Sequence, residues 1–254
     1  MCGRFALKSP EKEIEALFDL DDLEPFPPRY NIAPTQPIIV VATGPERQPG
    51  SNRSGRMSRL VRWGLIPSWI KDPKDLPLLF NARSETAATK PSFRGAMRHR
   101  RALIPASGFY EWKRSGKADA QPYWVRPVNG DVVAFAGLWE SWLGADGSEV
   151  DTGAILTTDA NSQISHIHHR MPVVIRPGDF ERWLDCRTQE PRDVADLLQP
   201  VEPGFFEAIP VSRAVNKVAN TGSDVQQPID LEDEREPAEG SANRSPGDGQ
   251  MTLF

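Results

Sequence analysis

The chain has 254 residues, 39% of them apolar, which suits one large domain or two small ones with a substantial core. Its two cysteines, Cys2 and Cys186, are too few for a disulfide framework and favour a reducing cytoplasm. We expect no secretory signal and no membrane span, because Arg4 and Lys8 precede an acidic stretch and no segment approaches ~20 consecutive apolar residues.

The net charge of −5 is unevenly distributed along the chain. Residues 224–254 hold eight acidic and two basic residues, a net charge of −6, so residues 1–223 carry the remaining +1. Clustered arginine side chains suit phosphate binding, and the alternative is a solvated loop and a solvated helix face. The two arginine-rich stretches contain Arg47, Arg53, Arg56, Arg59 and Arg62, and then Arg94, Arg98, Arg100 and Arg101.

The first predicted elements are a short helix and a buried strand. The segment Ser9-Pro10-Glu11 is typical of a helix start, with Ser9 as the cap, and apolar side chains then recur at helical spacing up to Phe18. Residues 38–42 are β-branched and predict a strand. Residues 43–59 are rich in Gly, Ser, Arg and Pro, which predicts a loop.

The remaining elements are irregularly ordered along the chain. Aromatic or β-branched runs predict strands at 60–66, 102–110, 121–127, 131–140, 152–158 and 172–176, and helical spacing predicts helices at 84–90, 178–185 and 191–198. Because strands and helices do not alternate, we predict an α+β fold with mostly antiparallel sheets and flanking helices. From residue 224 onward acids, Pro, Gly and Ser dominate, so we predict one domain over 1–223 and a disordered acidic tail over 224–254.

Cys2 carries the most specific chemistry, because removal of Met1 would make it the N-terminal residue. It would then present a 1,2-aminothiol, whose amine condenses with an aldehyde to an imine that the thiol closes to a thiazolidine ring. An α-amine titrates near ~8, against about 10.4 for a lysine amine, so far more of it is nucleophilic at neutral pH. The alternative is that Cys2 is only the second residue of a frayed terminus.

Two segments place titratable groups among apolar neighbours. Glu111 lies in the apolar run 108–112, where burial would raise its pKa and suit it to proton transfer during imine formation. The alternative is that Glu111 lies on the solvated face of an edge strand. His168 belongs to a cluster of three histidines at 166–169 and suits a proton donor, unless it is a hydrogen-bonded loop residue. No metal site is predicted, because supporting ligands lack a recognisable spacing.

Polar and aromatic side chains near these segments suit contacts with nucleic acid. Asn81 and Arg83 follow an apolar run and precede a predicted helix, so they could hold a sugar hydroxyl and a phosphate, and Arg4 could do the same. The alternatives are helix capping and an ordinary surface arginine. Exposed aromatic rings stack on unpaired bases. The candidates are Trp63, Trp69, Phe93 and Trp112, and among them Trp69 lies in the stretch most typical of an exposed loop.

Together these segments resemble the SRAP family, whose members process abasic sites in DNA. They occur in order over residues 2–216, so the resemblance covers most of the chain. The matching segments are Cys2-Gly3-Arg4-Phe5, Tyr30-Asn31-Ile32-Ala33-Pro34-Thr35, Trp63-Gly64-Leu65-Ile66-Pro67, Asn81-Ala82-Arg83-Ser84-Glu85, Gly108-Phe109-Tyr110-Glu111-Trp112-Lys113, His169-Arg170-Met171-Pro172 and Val211-Ser212-Arg213-Ala214-Val215-Asn216.

The resemblance implies a catalytic set. Cys2, exposed at the N-terminus, would crosslink the ring-opened aldehyde of an abasic sugar in single-stranded DNA. Asn81 would orient the sugar, Glu111 would handle protons at the amine, and His168 would protonate the sugar oxygen. The family name also implies a peptidase activity, which we interpret as the self-processing that exposes Cys2.

The resemblance also implies how DNA is held. Arg4, Arg83 and Arg170 would hold phosphates in a positively charged groove. Among the aromatic candidates that the residues themselves suggest, we select Trp69 and Trp112 for contacts with bases. We expect a monomer without a cofactor or metal, located in the cytoplasm and associated with the nucleoid when DNA is damaged.

The chain ends in an apolar segment that resembles the peptide with which bacterial proteins bind the sliding clamp. Its candidate contacts are Gln250, Met251, Leu253 and Phe254. Apolar anchors on a disordered tether are typical of short motifs that engage a groove, and an arbitrary apolar terminus is the alternative. Two other functions remain open for the whole chain, a thiol peptidase that uses Cys2, Glu111 and His168, and a non-catalytic module that binds single-stranded DNA.

Overall fold

The computed structural model describes residues 2–21, 23–44, 55–114 and 120–231. Strands dominate these ranges and helices are few and short, which confirms the predicted α+β fold. The strands are β1 (Phe5–Leu7), β2 (Arg29–Ile32), β3 (Pro37–Thr43), β4 (Arg56–Trp63), β5 (Asn81–Arg83), β6 (Arg101–Ala106), β7 (Gly108–Lys113), β8 (Gln121–Pro127), β9 (Val133–Leu143), β10 (Glu149–Asp159), β11 (Arg170–Pro172), β12 (Val174–Ile175) and β13 (Phe206–Pro210).

The described residues contain four α-helices. They are α1 (Glu11–Phe18), α2 (Ser84–Ala87), α3 (Arg94–His99) and α4 (Phe180–Leu184). Short 3₁₀ segments lie at Pro73–Asp75, Pro177–Asp179, Pro191–Leu198, Arg213–Asn216 and Ser223–Gln226. The predicted first helix is confirmed, with Phe18 buried and stacked on Phe180 at a centroid distance of 5.2 Å. Pro10, rather than Ser9, precedes its first turn.

Two sheets form the body of the protein. The first is antiparallel throughout, with the order β13-β8-β7-β1-β2. In the second, β10, β4, β3, β6 and β9 pair in sequence and β9 pairs again with β10, which closes a small barrel. The pairs β10–β4 and β10–β5 are parallel, and the other pairs in the described residues are antiparallel.

Several predicted boundaries differ from the structure. The predicted strand 102–110 is two strands, because Ser107 interrupts it and β7 then leaves the barrel for the other sheet. The predicted loop 43–59 ends early, since β4 begins at Arg56; residues 45–54 of that loop lie outside the described residues. The predicted helix at 191–198 is a 3₁₀ helix.

The body also extends beyond the predicted domain boundary at residue 223. The side chain of Val225 is 0% exposed, and the backbone N–H of Ile229 donates to the carbonyl of Pro210 at 3.1 Å. The prediction that a disordered tail begins at residue 224 is therefore wrong for the segment up to 231. The predicted clamp motif at the chain end lies outside the described residues.

The main core lies between the two sheets and fixes the strands that carry the site. Phe5 of β1 packs edge-on against Trp63 at 5.1 Å, and Phe109 of β7 packs edge-on against Phe135 at 6.0 Å. A smaller cluster around Tyr110 covers the outer face of the first sheet. Among the helices in the described ranges, none combines the length and the apolar character needed to cross a bilayer.

Candidate active site

Strand pairing places the N-terminal segment beside the strand that carries Glu111. Phe5 of β1 lies opposite Phe109 of β7, and the carbonyl of Arg4 accepts a hydrogen bond from the N–H of Tyr110 at 2.9 Å. Cys2, two residues before Arg4, is 0% exposed, so the expectation of an exposed thiol is wrong for this structure. Burial, and then repulsion from Glu111, raises the pKa of the Cys2 thiol well above its ordinary value.

Asn81 binds Cys2 directly. It is the first residue of β5, which the parallel pairing of Asn81 with Ile155 of β10 holds in place. Its Nδ2 donates to the carbonyl oxygen of Cys2 at 2.7 Å. Its Oδ1 is buried and accepts no hydrogen bond from the residues that the structure describes. The amide therefore fixes Cys2 with one end and offers an acceptor with the other.

Glu111 is a buried carboxyl group in the middle of a sheet. Its strand β7 lies between β8 and β1, so the alternative of an edge strand is excluded, and the residue is only 2% exposed. Burial raises the pKa of Glu111 to about 7. Strand β7 can pack this closely against β8 because its first residue is glycine. Gly108 has φ +150°, and a Cβ at that position would lie 2.4 Å from the carbonyl oxygen of Val125.

His168 lies at the end of a tight turn and faces Glu111. Its Nδ1 is 3.8 Å from Oε1 of Glu111 and 3.0 Å from the backbone nitrogen of Arg170. Because that N–H can only donate, Nδ1 is the acceptor and the ring proton lies on Nε2. Burial lowers the pKa of His168 to about 4. At neutral pH the ring is therefore an uncharged hydrogen-bond donor and a weak candidate for the predicted proton donor.

Arg170 is engaged within the protein and does not fit its predicted role as a phosphate ligand. Its two Nη atoms bind Glu85 at 2.7 and 2.9 Å, Asp159 at 2.6 Å and the carbonyl of Thr157 at 2.6 Å. The residue is also buried. Two carboxylates already neutralise its charge, and Arg170 instead joins β10, β11 and α2 behind His168.

The other predicted DNA contacts differ in exposure. Trp69 is 59% exposed, as predicted, and Arg83 is also exposed. Arg4 and Trp112 are half-buried, with the Arg4 guanidinium carbon 5.9 Å from the Trp112 ring centroid. Trp63 and Phe93 are buried in the main core, which excludes both as stacking surfaces.

Two clefts flank the catalytic candidates. One, of about 600 Å³, is lined on the Asn81 side by Arg83, Lys90 and Phe93. The other, of about 620 Å³, is lined by Glu111, Trp112, Arg114 and His168 among others. Asn81 of the first cleft donates a hydrogen bond to the carbonyl of Cys2, and the charge of Glu111 in the second cleft contributes to the raised pKa of the Cys2 thiol. The described residues contain no cluster of three or more His, Cys, Asp or Glu side chains suited to a metal ion.

Two functional residues lacked a predicted role although their motifs were recognised. Glu85 ends the segment that begins at Asn81, and it holds Arg170. Asn31 lies in the segment that begins at Tyr30, and it contacts Arg4. The only available signal was their membership of these motifs, because their partners are far away in sequence.

Residues 1–218 match the family described as SOS response associated peptidase (SRAP). The chain belongs to the SRAP family. Among its SRAP relatives, the abasic site processing protein YoqW of Bacillus subtilis strain 168 is 38% identical over 228 residues, which cover 89% of this chain and 98% of YoqW. The abasic site processing protein YedK of Escherichia coli K12 is 32% identical, with 90% of this chain and 100% of YedK covered.

The fold of this chain also occurs among solved structures. A crystal structure of a protein from Bacteroides thetaiotaomicron matches with a TM-score of 0.77 and 24% sequence identity, over 90% of this chain and 100% of that protein. At this identity the likeness concerns the fold alone. It agrees with the arrangement of an antiparallel sheet packed on a small barrel.

Proposed function

We propose that this SRAP protein processes abasic sites in single-stranded DNA through a covalent bond to Cys2. The observation that carries the proposal is the hydrogen bond from the Asn81 amide to Cys2, next to the strand pair that brings in the buried carboxyl group of Glu111. Its relatives YoqW, YedK and the HMCES protein of Gallus gallus are abasic site processing proteins, which supports the same substrate.

The chemistry begins when Met1 is removed. The free amine of Cys2 attacks the aldehyde of the ring-opened sugar, and loss of one water gives an imine. The thiol of Cys2 then adds to the imine carbon while its proton moves to the nitrogen, which closes a thiazolidine ring. No oxidant or cofactor is needed, and the product lacks the β-elimination route of an imine, so the strand is protected from cleavage.

The surrounding groups fit the proton transfers. With its pKa near 7, Glu111 can release a proton to the departing water and take one up from the amine at neutral pH. His168 supplies the Nε2 proton as a hydrogen bond to the sugar oxygen, and Oδ1 of Asn81 accepts from a sugar hydroxyl. Glu111, rather than His168, is therefore the acid that we propose for ring opening.

Binding of the strand would use charge and stacking. Arg83 lines one cleft, and Arg114 and Trp112 line the other. Trp69 presents an exposed ring that can stack on a base. Specificity would come from the aldehyde, which an intact nucleotide does not offer, and the missing base spares the cost of flipping.

A DNA oligonucleotide with one abasic site tests this proposal. We expect wild-type protein without Met1 to form an adduct that survives denaturant, and intact mass to show the loss of one water. Cys2→Ala should abolish the adduct, whereas Cys186→Ala, the matched change at the only other cysteine in the sequence, should leave it unchanged. Retention of Met1 in active protein, or an adduct in Cys2→Ala, would contradict the mechanism.

The same experiment separates the two other functions. A thiol peptidase would cleave peptides without an adduct, but the raised pKa of the Cys2 thiol opposes the thiolate that such an enzyme needs. A module that only binds single strands would show salt-sensitive binding that is indifferent to Cys2. Peptidase activity in our proposal is limited to the removal of Met1, and the DNA reaction is lyase-like only in forming an imine with the sugar before the thiazolidine closes.

We further propose that the C-terminal residues recruit the protein to the replication machinery at the damaged nucleoid. The sequence of Gln250, Met251, Leu253 and Phe254 supports binding to the bacterial sliding clamp. Deletion of residues 250–254 should abolish capture of the protein by immobilised clamp while adduct formation continues. Unchanged capture would refute recruitment by this segment.

A further inference from the structure

Two motifs of the SRAP resemblance have no part in the chemistry proposed above. They begin at Tyr30 and at Val211, and the structure joins them through one side chain, the carboxamide of Asn31. Asn31 lies on β2 and is 3% exposed. A buried amide needs partners for both of its polar atoms, so its contacts show what it holds together.

The donor end of Asn31 binds the backbone of a segment that we call the C-terminal strap, residues 212–220. Its Nδ2 lies 3.3 Å from the carbonyl oxygen of Val215, 3.2 Å from that of Lys217 and 2.7 Å from that of Asn220. Since an amide nitrogen has two protons, one of them is shared between two carbonyl groups. A single side chain therefore fixes most of the strap against β2.

The acceptor end of Asn31 binds Arg4. Oδ1 of Asn31 accepts from Nη1 of Arg4 at 2.7 Å, and the same Nη1 donates to the carbonyl of Val215 at 2.7 Å. The strap also holds the aromatic neighbour of Arg4, because the indole N–H of Trp112 donates to Oδ1 of Asn216 at 2.7 Å. Arg4, Trp112 and the strap thus form one network with Asn31 at its centre.

We propose that Asn31 is a positioning residue for DNA binding, which acts through Arg4. It holds one nitrogen of the guanidinium, two residues from Cys2, while Nη2 makes no hydrogen bond to the residues that the structure describes and remains for a phosphate. An arginine that is ordered before the strand arrives loses less rotamer freedom on binding. Because Asn31 is buried, it does not touch the DNA itself.

The inference rests on the proposed function in one respect, the binding of a phosphate by Arg4. We would therefore test it with an undamaged single-stranded oligonucleotide, for which the covalent step does not occur. Arg4→Ala and Asn31→Ala should each weaken binding about tenfold, as expected for the loss of one charge-assisted contact. Each should also reduce the slope of log K against log salt by about 0.7, the value for one phosphate on a single strand.

The double variant decides the mechanism. If Asn31 acts through Arg4, the protein with both changes binds no more weakly than Arg4→Ala alone, although its melting temperature falls further. Asn161→Ala is the matched control, since this buried amide also donates to two carbonyl groups, those of Val201 at 3.0 Å and Glu202 at 3.3 Å. Asn161→Ala should change the affinity for the oligonucleotide by the same factor in the wild-type background and in the Arg4→Ala background.

Two outcomes would overturn the inference. Additive losses of affinity for Asn31→Ala and Arg4→Ala would mean that Asn31 acts on the fold in general. Unchanged affinity and salt slope in Arg4→Ala would show that Arg4 does not contact a phosphate. The covalent chemistry would still be tested separately, with the abasic oligonucleotide and Cys2→Ala.

A measurement on wild-type protein covers the case in which Asn31→Ala fails to fold. The guanidinium signals of Arg4, assigned by comparison with Arg4→Lys, should show restricted rotation by ¹⁵N NMR before DNA is added and should shift when the oligonucleotide binds. Free rotation in the absence of DNA would contradict preorganisation.

Discussion

At the scale of single residues, the site depends on groups whose ionisation the fold has altered. Glu111 and His168 lie 3.8 Å apart, and burial favours the neutral form of each, raising the pKa of the carboxyl group to about 7 and lowering that of the imidazole to about 4. Between these values both side chains are uncharged, so the pair is not an ion pair at its working pH. Instead, the carboxyl group of Glu111 can release or take up a proton, and the neutral ring of His168 next to it donates a hydrogen bond.

The raised pKa of Glu111 predicts a specific dependence of stability on pH. The folded value, about 7, lies above the ordinary 4.5, so the stabilising contribution of the protonated group is complete below 4.5 and is lost as pH rises through 7. The difference corresponds to about 3 kcal/mol in the free energy of unfolding. Glu111→Gln should remove this loss, which urea denaturation at pH 4.5 and pH 8 would measure.

The control for this prediction is a carboxyl group at the surface. Glu149→Gln changes an exposed residue at the start of β10 and should leave the pH dependence of the wild-type protein intact. The prediction would be contradicted if wild type and Glu111→Gln showed the same change in stability between pH 4.5 and pH 8, because a buried Glu111 must contribute to that change in wild type.

At the scale of elements, the geometry of β7 depends on its first residue. At Gly108 a Cβ would lie 2.4 Å from a carbonyl oxygen and 2.6 Å from the ring of Trp124. Gly108→Ala should therefore destabilise the protein by about 1–3 kcal/mol, as overpacking does, and should slow adduct formation because Glu111 moves with the strand. Denaturant midpoints and adduct yields would measure both effects.

Gly95→Ala is the matched control for the strand. Gly95 lies in α3, where an added Cβ would meet nothing within 4 Å. An alanine in a helix interior is favoured over glycine by about 1 kcal/mol, so this variant should be at least as stable as wild type. Equal effects of the two substitutions would show that the close approach at Gly108 is not what constrains β7.

The sequence predicted the long elements better than the short ones. The strand at 121–127 and the helix ending at Phe18 have enough residues to show their periodicity, and both are confirmed. By contrast β1 and β5 have three residues each, too few for a pattern, yet they position Cys2 and Asn81. Their placement depends on pairing with distant strands, which local sequence does not encode.

The site was predicted from residue types and motifs, and the structure changes how some of them act. Cys2, Asn81, Glu111 and His168 come together, as the motifs indicated. The engagement of Arg170 was not predictable, because its partner Glu85 lies 85 residues away and the arginine of the motif suggests a phosphate ligand equally well. The burial of Cys2 was also missed, since a chain terminus is usually exposed.

At the scale of the whole molecule, the last described segment belongs to the folded body. A chain that ends at residue 223 would lose the buried Val225 and the pairing of Val211 with Pro228. We expect this truncation to lower the free energy of unfolding by about 2–3 kcal/mol, mostly through lost apolar burial. A chain that ends at residue 231 should melt like the full-length protein, and equal melting temperatures for both truncations would contradict this boundary.

The buried thiol of Cys2 also bears on survival of the protein under oxidative stress. Peroxides and alkylating reagents react with the thiolate, and a thiol with a raised pKa is seldom ionised to the thiolate at neutral pH. Under the proposed mechanism, conditions that strip bases from DNA would therefore leave Cys2 intact until an aldehyde reacts with its amine. Iodoacetamide should accordingly modify the half-buried Cys186 before Cys2 in native protein, and the reverse order in peptide mass spectra would show that the terminus is not shielded.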